Sequence, residues 1–481
     1  MDEITSEVRR HYPMLFRSVN GRKILYFDSA ATALKPDVVI KTLTDFYYNY
    51  DSNVFRGWHV PSAQATKLYE EARRIIAKNL GSTPENVAFC YNTTDGMQKI
   101  AYSLKIKKVA LMIDLHHSSM LPFTRFDYSL IKIKEDGLPD FSDLKQKAAD
   151  ADAVVVNHVS NVTGTINDLS LIRDLVKDKI LIVDGAQGFP HLSVNVEKWG
   201  VDAYVFSGHK VGGPYGSGAM YISPRLQQLL SPLGGGESIE NVFLKGDKIE
   251  VKYQKFPHCF EPGTPSIANQ IALASAIQFI SVYKAGLEHR ERKVLKPFFE
   301  LASKYNIKYL GGSLEQRSSL IAFKLGAEVA LKLAVLGVCS RYGYHCAEPL
   351  HHFLKSPPSL RFSVFLYNTE EEALQVATIL ENIIKGNSVK EIEAVVYPEP
   401  EFYPPSAVVV DPCENCSVNC MDYRSAVLLC PFVPSFIKER LLSQRVEKMK
   451  QRRIEALVKL ANKGYYPVPE PTKELIGRRR K

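Results

Sequence analysis

Three short runs in the middle of the chain constrain its fold more than any other feature: AVVVN at 153–157, ILIVD at 180–184 and AYVFS at 203–207. Each is almost wholly apolar, and each gives way at once to polar residues and glycine. A short run without polar alternation suits a strand covered on both faces. Several such strands with helix-like stretches between them predict a mainly parallel sheet flanked by helices. The chain has 481 residues, 45% of them hydrophobic, enough for a large core and more than one domain.

The rest of the chain divides by texture. Ala65, Leu68, Tyr69, Ala72, Ile75 and Ile76 recur at helical spacing with charges between them and predict an amphipathic helix. A second mixed strand-and-helix region is expected over 285–388, with 22–284 before it as the larger domain and 1–21 as an N-terminal segment packing on the smaller one. The second region closes with NTEEEALQVATILENIIKG, where Thr369 and Glu372 predict a capping box and Gly386 a C-terminal stop. Residues 389–412 are proline-rich and read as a linker. Residues 413–481 form an extension that begins rich in cysteine and continues basic.

Charge separates the extension from the body. The net charge is +9, and residues 434–481 hold 14 Lys and Arg against 5 Asp and Glu, so the first 433 residues are balanced at 47 of each sign. No run of about 18 uncharged apolar residues occurs, so no membrane span or membrane partner is expected. The start, MDEITSEVRRHYP, lacks the apolar centre of a secretory signal, and a cytoplasmic location is expected. The eight cysteines should then be reduced, metal-bound or catalytic rather than paired.

Ligands of such sheets bind beyond the carboxyl ends of the strands. The three runs lead into NHVSNVTGT, DGAQG and SGHK, so one edge gathers Asn161, Asp184, Gln187, Ser207, His209 and Lys210. Lys210 is not a P-loop lysine, because Gly212 and Gly213 follow it and Val211 stands where a hydroxyl is needed. Two readings remain open from spacing alone. A solvated lysine is the plain one, but it leaves Asp184 and His209 unexplained. A lysine that binds the aldehyde of pyridoxal phosphate explains them: Asp184 would keep the pyridine nitrogen protonated, and Ser207 and His209 would meet the phosphate.

Longer stretches carry a resemblance. YFDSAATALKP, RGWHVPSAQAT, NTTDG, NHVSNVTGT, VDGAQ, FSGHK, EPGTPS, RYGYHCAEP and LRFSVFLYNTEEE occur in one order across residues 20–388. This region resembles the class-V aminotransferase group of fold-type I pyridoxal phosphate enzymes, and within it the cysteine desulfurases of the SufS/CsdA type. The resemblance implies an α/β large domain with a mainly parallel seven-stranded sheet, and a smaller α+β domain. It implies that Lys210 holds the cofactor and moves protons, that Asp184 pairs with the pyridinium nitrogen and that His116 stacks on the ring. Gln187 and Asn161 would contact the phenolic oxygen region, and Thr94, Ser207 and His209 the phosphate. Thr264 and a glycine of Gly234–Gly236 would reach a neighbouring subunit's phosphate, which implies a homodimer. Arg361 would clamp the substrate carboxylate with a forked guanidinium, with Arg341 and Arg56 also on the substrate side.

Cys346 decides the expected reaction. Its plain reading is a small buried apolar residue. Gly343, His345 and Pro349 beside it suggest a turn instead, and a cationic His345 would favour a thiolate. The position matches the family's persulfide cysteine, whereas Cys90, Cys259 and Cys339 read as packing residues. The resemblance thus implies that L-cysteine gives L-alanine and a persulfide on Cys346, passed to a sulfur acceptor or scaffold protein for iron–sulfur cluster assembly or other sulfur transfer. Leu115, Phe55 and Tyr344 depart from the family pattern, where an acidic residue and two histidines are usual. These departures leave selenocysteine lyase, or another class-V enzyme, as the alternative. A further alternative is a cofactor-bound scaffold that acts through its tail.

The extension lies outside the resemblance. Cys413, Cys416, Cys420 and Cys430 follow C-x2-C-x3-C-x9-C, with Pro431 next, and predict a metal site holding an iron–sulfur cluster or zinc. The apolar residues among the basic ones at 434–481 suit a helix docked on the enzyme, or a segment that contacts RNA or an acidic partner.

Overall fold

The computed structural model describes residues 3–19 and 22–389, all within one compact unit that spans Met1–Phe402. Seven strands form its main sheet: β1 (Val87–Cys90), β2 (Lys108–Met112), β3 (Asp127–Ile131), β4 (Ala153–Asn157), β5 (Ile180–Asp184), β6 (Ala203–Ser207) and β7 (Gly218–Ile222). Their order is β1-β7-β6-β5-β4-β2-β3. The pairs from β3 through β6 are parallel, and β7 runs antiparallel to both β6 and β1. The three apolar runs are β4, β5 and β6, each buried at every position. Their valines and isoleucines are covered on both faces, so nothing selects for polar alternation. Register places Asn157 opposite Asp184, which aligns the strand ends at one edge.

The helix at Val60–Leu80 buries Ala65, Tyr69, Ala72 and Ile76 and ends at Gly81 in the left-handed region. The hydrophobic spacing thus yields its expected helix, started by Pro61 and stopped by glycine. The helix at Ile267–Tyr283 is mostly buried and packs against it.

The smaller layer has an antiparallel sheet of β8 (Tyr309–Leu310), β9 (Leu320–Phe323), β10 (Arg341–Gly343) and β11 (Ser359–Ser363), ordered β8-β9-β11-β10. The helix at Glu370–Ile384 follows β11 and ends before Gly386, whose φ is +86°. Thr369 caps it by accepting from the Glu372 backbone N–H at 3.0 Å. The Glu372 side chain does not close the expected capping box. Its carboxylate takes a two-fold hydrogen bond from Arg9 at 2.7 and 2.9 Å, which ties the N-terminal helix to this one. A charged pair this buried gains more from a forked guanidinium than from one backbone N–H.

The segment from residue 25 to residue 33 bridges the two layers, with the Ala33 N–H donating to the His209 carbonyl beyond β6 at 3.0 Å. Leu25 and Tyr26 pair in parallel with Val338 and Cys339, and Asp28 bridges to Ser363. No helix among the described residues is long and apolar enough to cross a membrane. Cys413, Cys416, Cys420 and Cys430 and the basic stretch beyond them lie outside the described residues.

Candidate active site

The ends of β4, β5 and β6 form the floor of the site. Asp184 closes β5 and is 5% exposed. Its carboxylate accepts from Ser119 Oγ at 2.5 Å and from the Ala186 backbone N–H at 2.9 Å. These donors fix the carboxylate's orientation. One tight turn past β6 stands Lys210. That turn needs Gly208, because a Cβ there would fall within 2.2 Å of Ser217 Oγ. Burial pushes the Lys210 amine down to about 8, with Asp184 pulling the other way. Gln187 is buried and donates to the Ala30 carbonyl at 2.7 Å.

Hydroxyls and a helix end collect beside Lys210. Ser207 Oγ accepts from the Thr93 backbone N–H at 2.8 Å and lies 2.8 Å from Thr93 Oγ1. This contact seats the N-terminus of the helix Thr93–Ser103 against β6. Thr94, exposed in the first turn, has its hydroxyl 2.6 Å from Ser118 Oγ. A helix N-terminus with converging hydroxyls suits a phosphate. His209 stacks on Tyr215, and its Nδ1 is buried without a partner among the described residues. Burial and the adjacent Lys210 push His209 down to about 3, so its ring is neutral near pH 7. His116 is pushed down to about 3 for the same reasons, and its Nδ1 accepts from the Ser118 backbone N–H at 3.1 Å. A neutral, oriented ring is what stacking on an aromatic cofactor needs.

Two arginines of the smaller layer interact with Lys210. Arg361 on β11 is buried, and its Nη1 donates to the Asn161 carbonyl at 2.8 Å. Nη2 is 3.7 Å from Asp28, and Nε has no partner among the described residues. Burial pushes this guanidinium down to about 10, still charged at neutral pH. Arg341 makes a two-fold hydrogen bond to Asp28 at 3.1 and 2.8 Å. Asp28 therefore orders the pair of arginines. It stood within the quoted YFDSAAT stretch, but a lone aspartate there gave no sign of its partners more than 300 residues away. Thr93, Ser118 and Ser119 were missed as well, although TTDG and HHSSM displayed the hydroxyls.

Cys346 lies exposed on a turn, and both it and His345 have left-handed φ, +56° and +54°. Asn161 Nδ2 donates to the His345 carbonyl at 2.8 Å. The expected cation at His345 is absent: its ring is buried, its pKa is driven well below the ordinary histidine value by burial, and its Nε2 lies 3.0 Å from Ser359 Oγ. The positive groups that interact with the Cys346 thiol are Arg361, Arg341 and Lys210. Burial pushes the thiols of Cys90, Cys259 and Cys339 up to about 12, 11 and 11, which leaves them unreactive.

Two expected residues stand apart from this group. Arg56 donates to Glu237 at 3.0 Å and to the Ile239 carbonyl at 2.7 Å. Thr264 is exposed in the loop after Glu261, where the Gly263 N–H donates to the Gly235 carbonyl at 3.1 Å. Arg56, Gly234–Gly236 and Thr264 thus form a second cluster rather than part of the Lys210 group.

The Lys210 group fits pyridoxal phosphate on its donor chemistry. It offers an amine of depressed basicity, a carboxylate held by two donors, a neutral imidazole, a helix N-terminus with hydroxyls, and the partnerless Nδ1 of His209.

The aminotransferase class-V profile matches residues 25–376. A probable cysteine desulfurase of Aeropyrum pernix is 34% identical over 413 residues, covering 79% of this chain and 97% of that protein. The apo structure of the cysteine desulfurase of Thermococcus onnurineus superposes with a TM-score of 0.75 at 32% identity, covering 80% of this chain and all of that one. Escherichia coli cysteine desulfurase CsdA, solved with an S-sulfonic acid, gives 0.70 at 26% identity, covering 80% and 99%.

Proposed function

The chain belongs to the class-V aminotransferase family, and from that premise we propose that it is a pyridoxal phosphate-dependent cysteine desulfurase, taking sulfur from L-cysteine to leave L-alanine and a persulfide on Cys346. One observation carries this reading: an exposed thiol, Cys346, held on a left-handed turn among the charges of Lys210, Arg361 and Arg341. Alanine formation from L-cysteine by the purified protein, with and without a reductant, tests it. Absence of alanine under both conditions overturns it.

Bound at Lys210, pyridoxal phosphate supplies an electron sink that acidifies the substrate's α-carbon. The chain's own residues do the rest. Arg361 offers Nε and Nη2 to the substrate carboxylate, with Nη1 already committed to Asn161. Two N–H groups of one planar fork fix the amino acid's orientation. Lys210, held near a pKa of 8, exchanges protons with substrate carbon close to neutral pH. The Cys346 thiolate attacks the substrate sulfur. A sulfur–sulfur bond forms, the carbon–sulfur bond breaks with its electron pair left on carbon, and a proton completes alanine. Cys346 and L-cysteine are together neither oxidised nor reduced, so no outside oxidant is required. The persulfide then passes to a sulfur acceptor for iron–sulfur cluster assembly or other transfer.

The enzyme works as a homodimer in this reading. Thr264, Gly234–Gly236 and Arg56 lie apart from their own chain's Lys210 group, which supports their use by a second copy. Trp58, wholly exposed, stands two residues from Arg56. A monomeric mass by light scattering overturns this part. Cys413, Cys416, Cys420 and Cys430 hold an iron–sulfur cluster or zinc, supported by their spacing. Metal analysis of the purified protein decides between the two, and absence of both overturns the site. The basic stretch 434–481 serves RNA or an acidic acceptor, supported by its concentration of the net charge, and salt-sensitive binding lost on its deletion is the test. The whole operates in the cytoplasm.

A further inference from the structure

The loop that carries Cys346 holds two adjacent left-handed residues, His345 and Cys346. Non-glycine residues keep that conformation only where their surroundings hold it. Asn161 takes the His345 carbonyl, as described. The Cys346 carbonyl is taken by the backbone N–H of His117 at 2.9 Å. Two residues on, Glu348 opens the short helix Glu348–Phe353, and its Oε2 lies 2.6 Å from His117 Nε2. This oxygen is shielded from solvent. His117 therefore meets the loop at two points just after the thiol, by its backbone at the Cys346 carbonyl and by its ring at Glu348. It also adjoins His116, so one dipeptide joins the cofactor face to the thiol loop.

We propose that the His117–Glu348 contact is a positioning clamp that keeps the Cys346 thiol turned toward the substrate sulfur. This rests on the desulfurase reading. Both residues act through the loop, and neither is assigned a chemical step. A clamp of this kind governs how often the thiol occupies its attacking position, and so it bears on the chemical step more than on substrate affinity.

The test uses the full-chain holoenzyme with Glu348→Gln, His117→Gln and the double variant. Alanine formation from L-cysteine gives kcat and KM. Alkylation of Cys346 by iodoacetamide, followed by peptide mass spectrometry, reports loop freedom independently of turnover. Each single variant should lower kcat about five- to tenfold with KM within about twofold, and raise the Cys346 alkylation rate about threefold. The double variant should match the worse single one, because either change already releases the loop. Unchanged alkylation, a change confined to KM, or losses that add in the double variant overturn the clamp. If the unaltered protein forms no alanine, the desulfurase reading fails, while the alkylation comparison still decides whether the pair holds the loop.

Discussion

Arg361 donates through Nη1 to the Asn161 carbonyl oxygen at 2.8 Å, while its buried Nε finds no partner among the described residues. The guanidinium is thus anchored at one corner and open along one edge. Arg361→Lys keeps the charge but loses the fork, and one or two charge-assisted hydrogen bonds to the substrate carboxylate go with it. At about 1.5–3 kcal/mol, kcat/KM for L-cysteine should fall about 10- to 100-fold. Steady-state kinetics check this, and an unchanged kcat/KM contradicts the clamp.

Ser119 should matter through Asp184. Its hydroxyl is one of two donors that fix the carboxylate's orientation. Ser119→Ala removes it, and the cofactor should then bind about tenfold more weakly, in line with a hydrogen bond to a charged group. Equilibrium dialysis followed by the visible absorbance of the lysine-bound cofactor measures the loss. Equal retention sinks the role given to Ser119.

Loading of the cofactor should report the depressed Lys210 pKa. Burial disfavours the ammonium, so the folded-state value falls from 10.5 to about 8. The nucleophilic amine is therefore the minor form below pH 8 and the major form above it. The rate at which apoprotein takes up pyridoxal phosphate should climb about tenfold per pH unit below that point and level off above it. A rate still climbing from pH 9 to pH 10 contradicts the shift.

The fold was legible where the physics is local. AVVVN, ILIVD and AYVFS suit covered strands, because each is short, apolar and ended by polar residues. Lys210 and Asp184 follow from the same pattern, because the strand ends fix their edge. What stayed hidden depends on contacts far apart in sequence. Asp28 meets Arg341 and Arg361, Glu372 leaves its capping box for Arg9, and His345 loses its charge to burial. Each of these turns on a partner or an environment that a local spacing does not encode.

Stability should depend on a charge network away from the site. Arg73 and Glu261 are buried, with side chains 1% and 5% exposed, and meet at 2.5 Å. Glu261 also accepts from the Phe89 backbone N–H at 2.7 Å, which ties the loop bearing Thr264 to β1. Arg73→Met leaves a buried carboxylate without its cation and should cost about 3–5 kcal/mol. A lower urea midpoint reads this directly, and a midpoint equal to that of the parent protein contradicts it.

The central claim is that Cys346 receives the sulfur. Alanine production from L-cysteine by Cys346→Ala, with dithiothreitol present and the cofactor fully loaded, tests it most directly. The account predicts that alanine formation collapses while the visible absorbance of the cofactor on Lys210 persists. Alanine formation at the rate of the unaltered enzyme would contradict it.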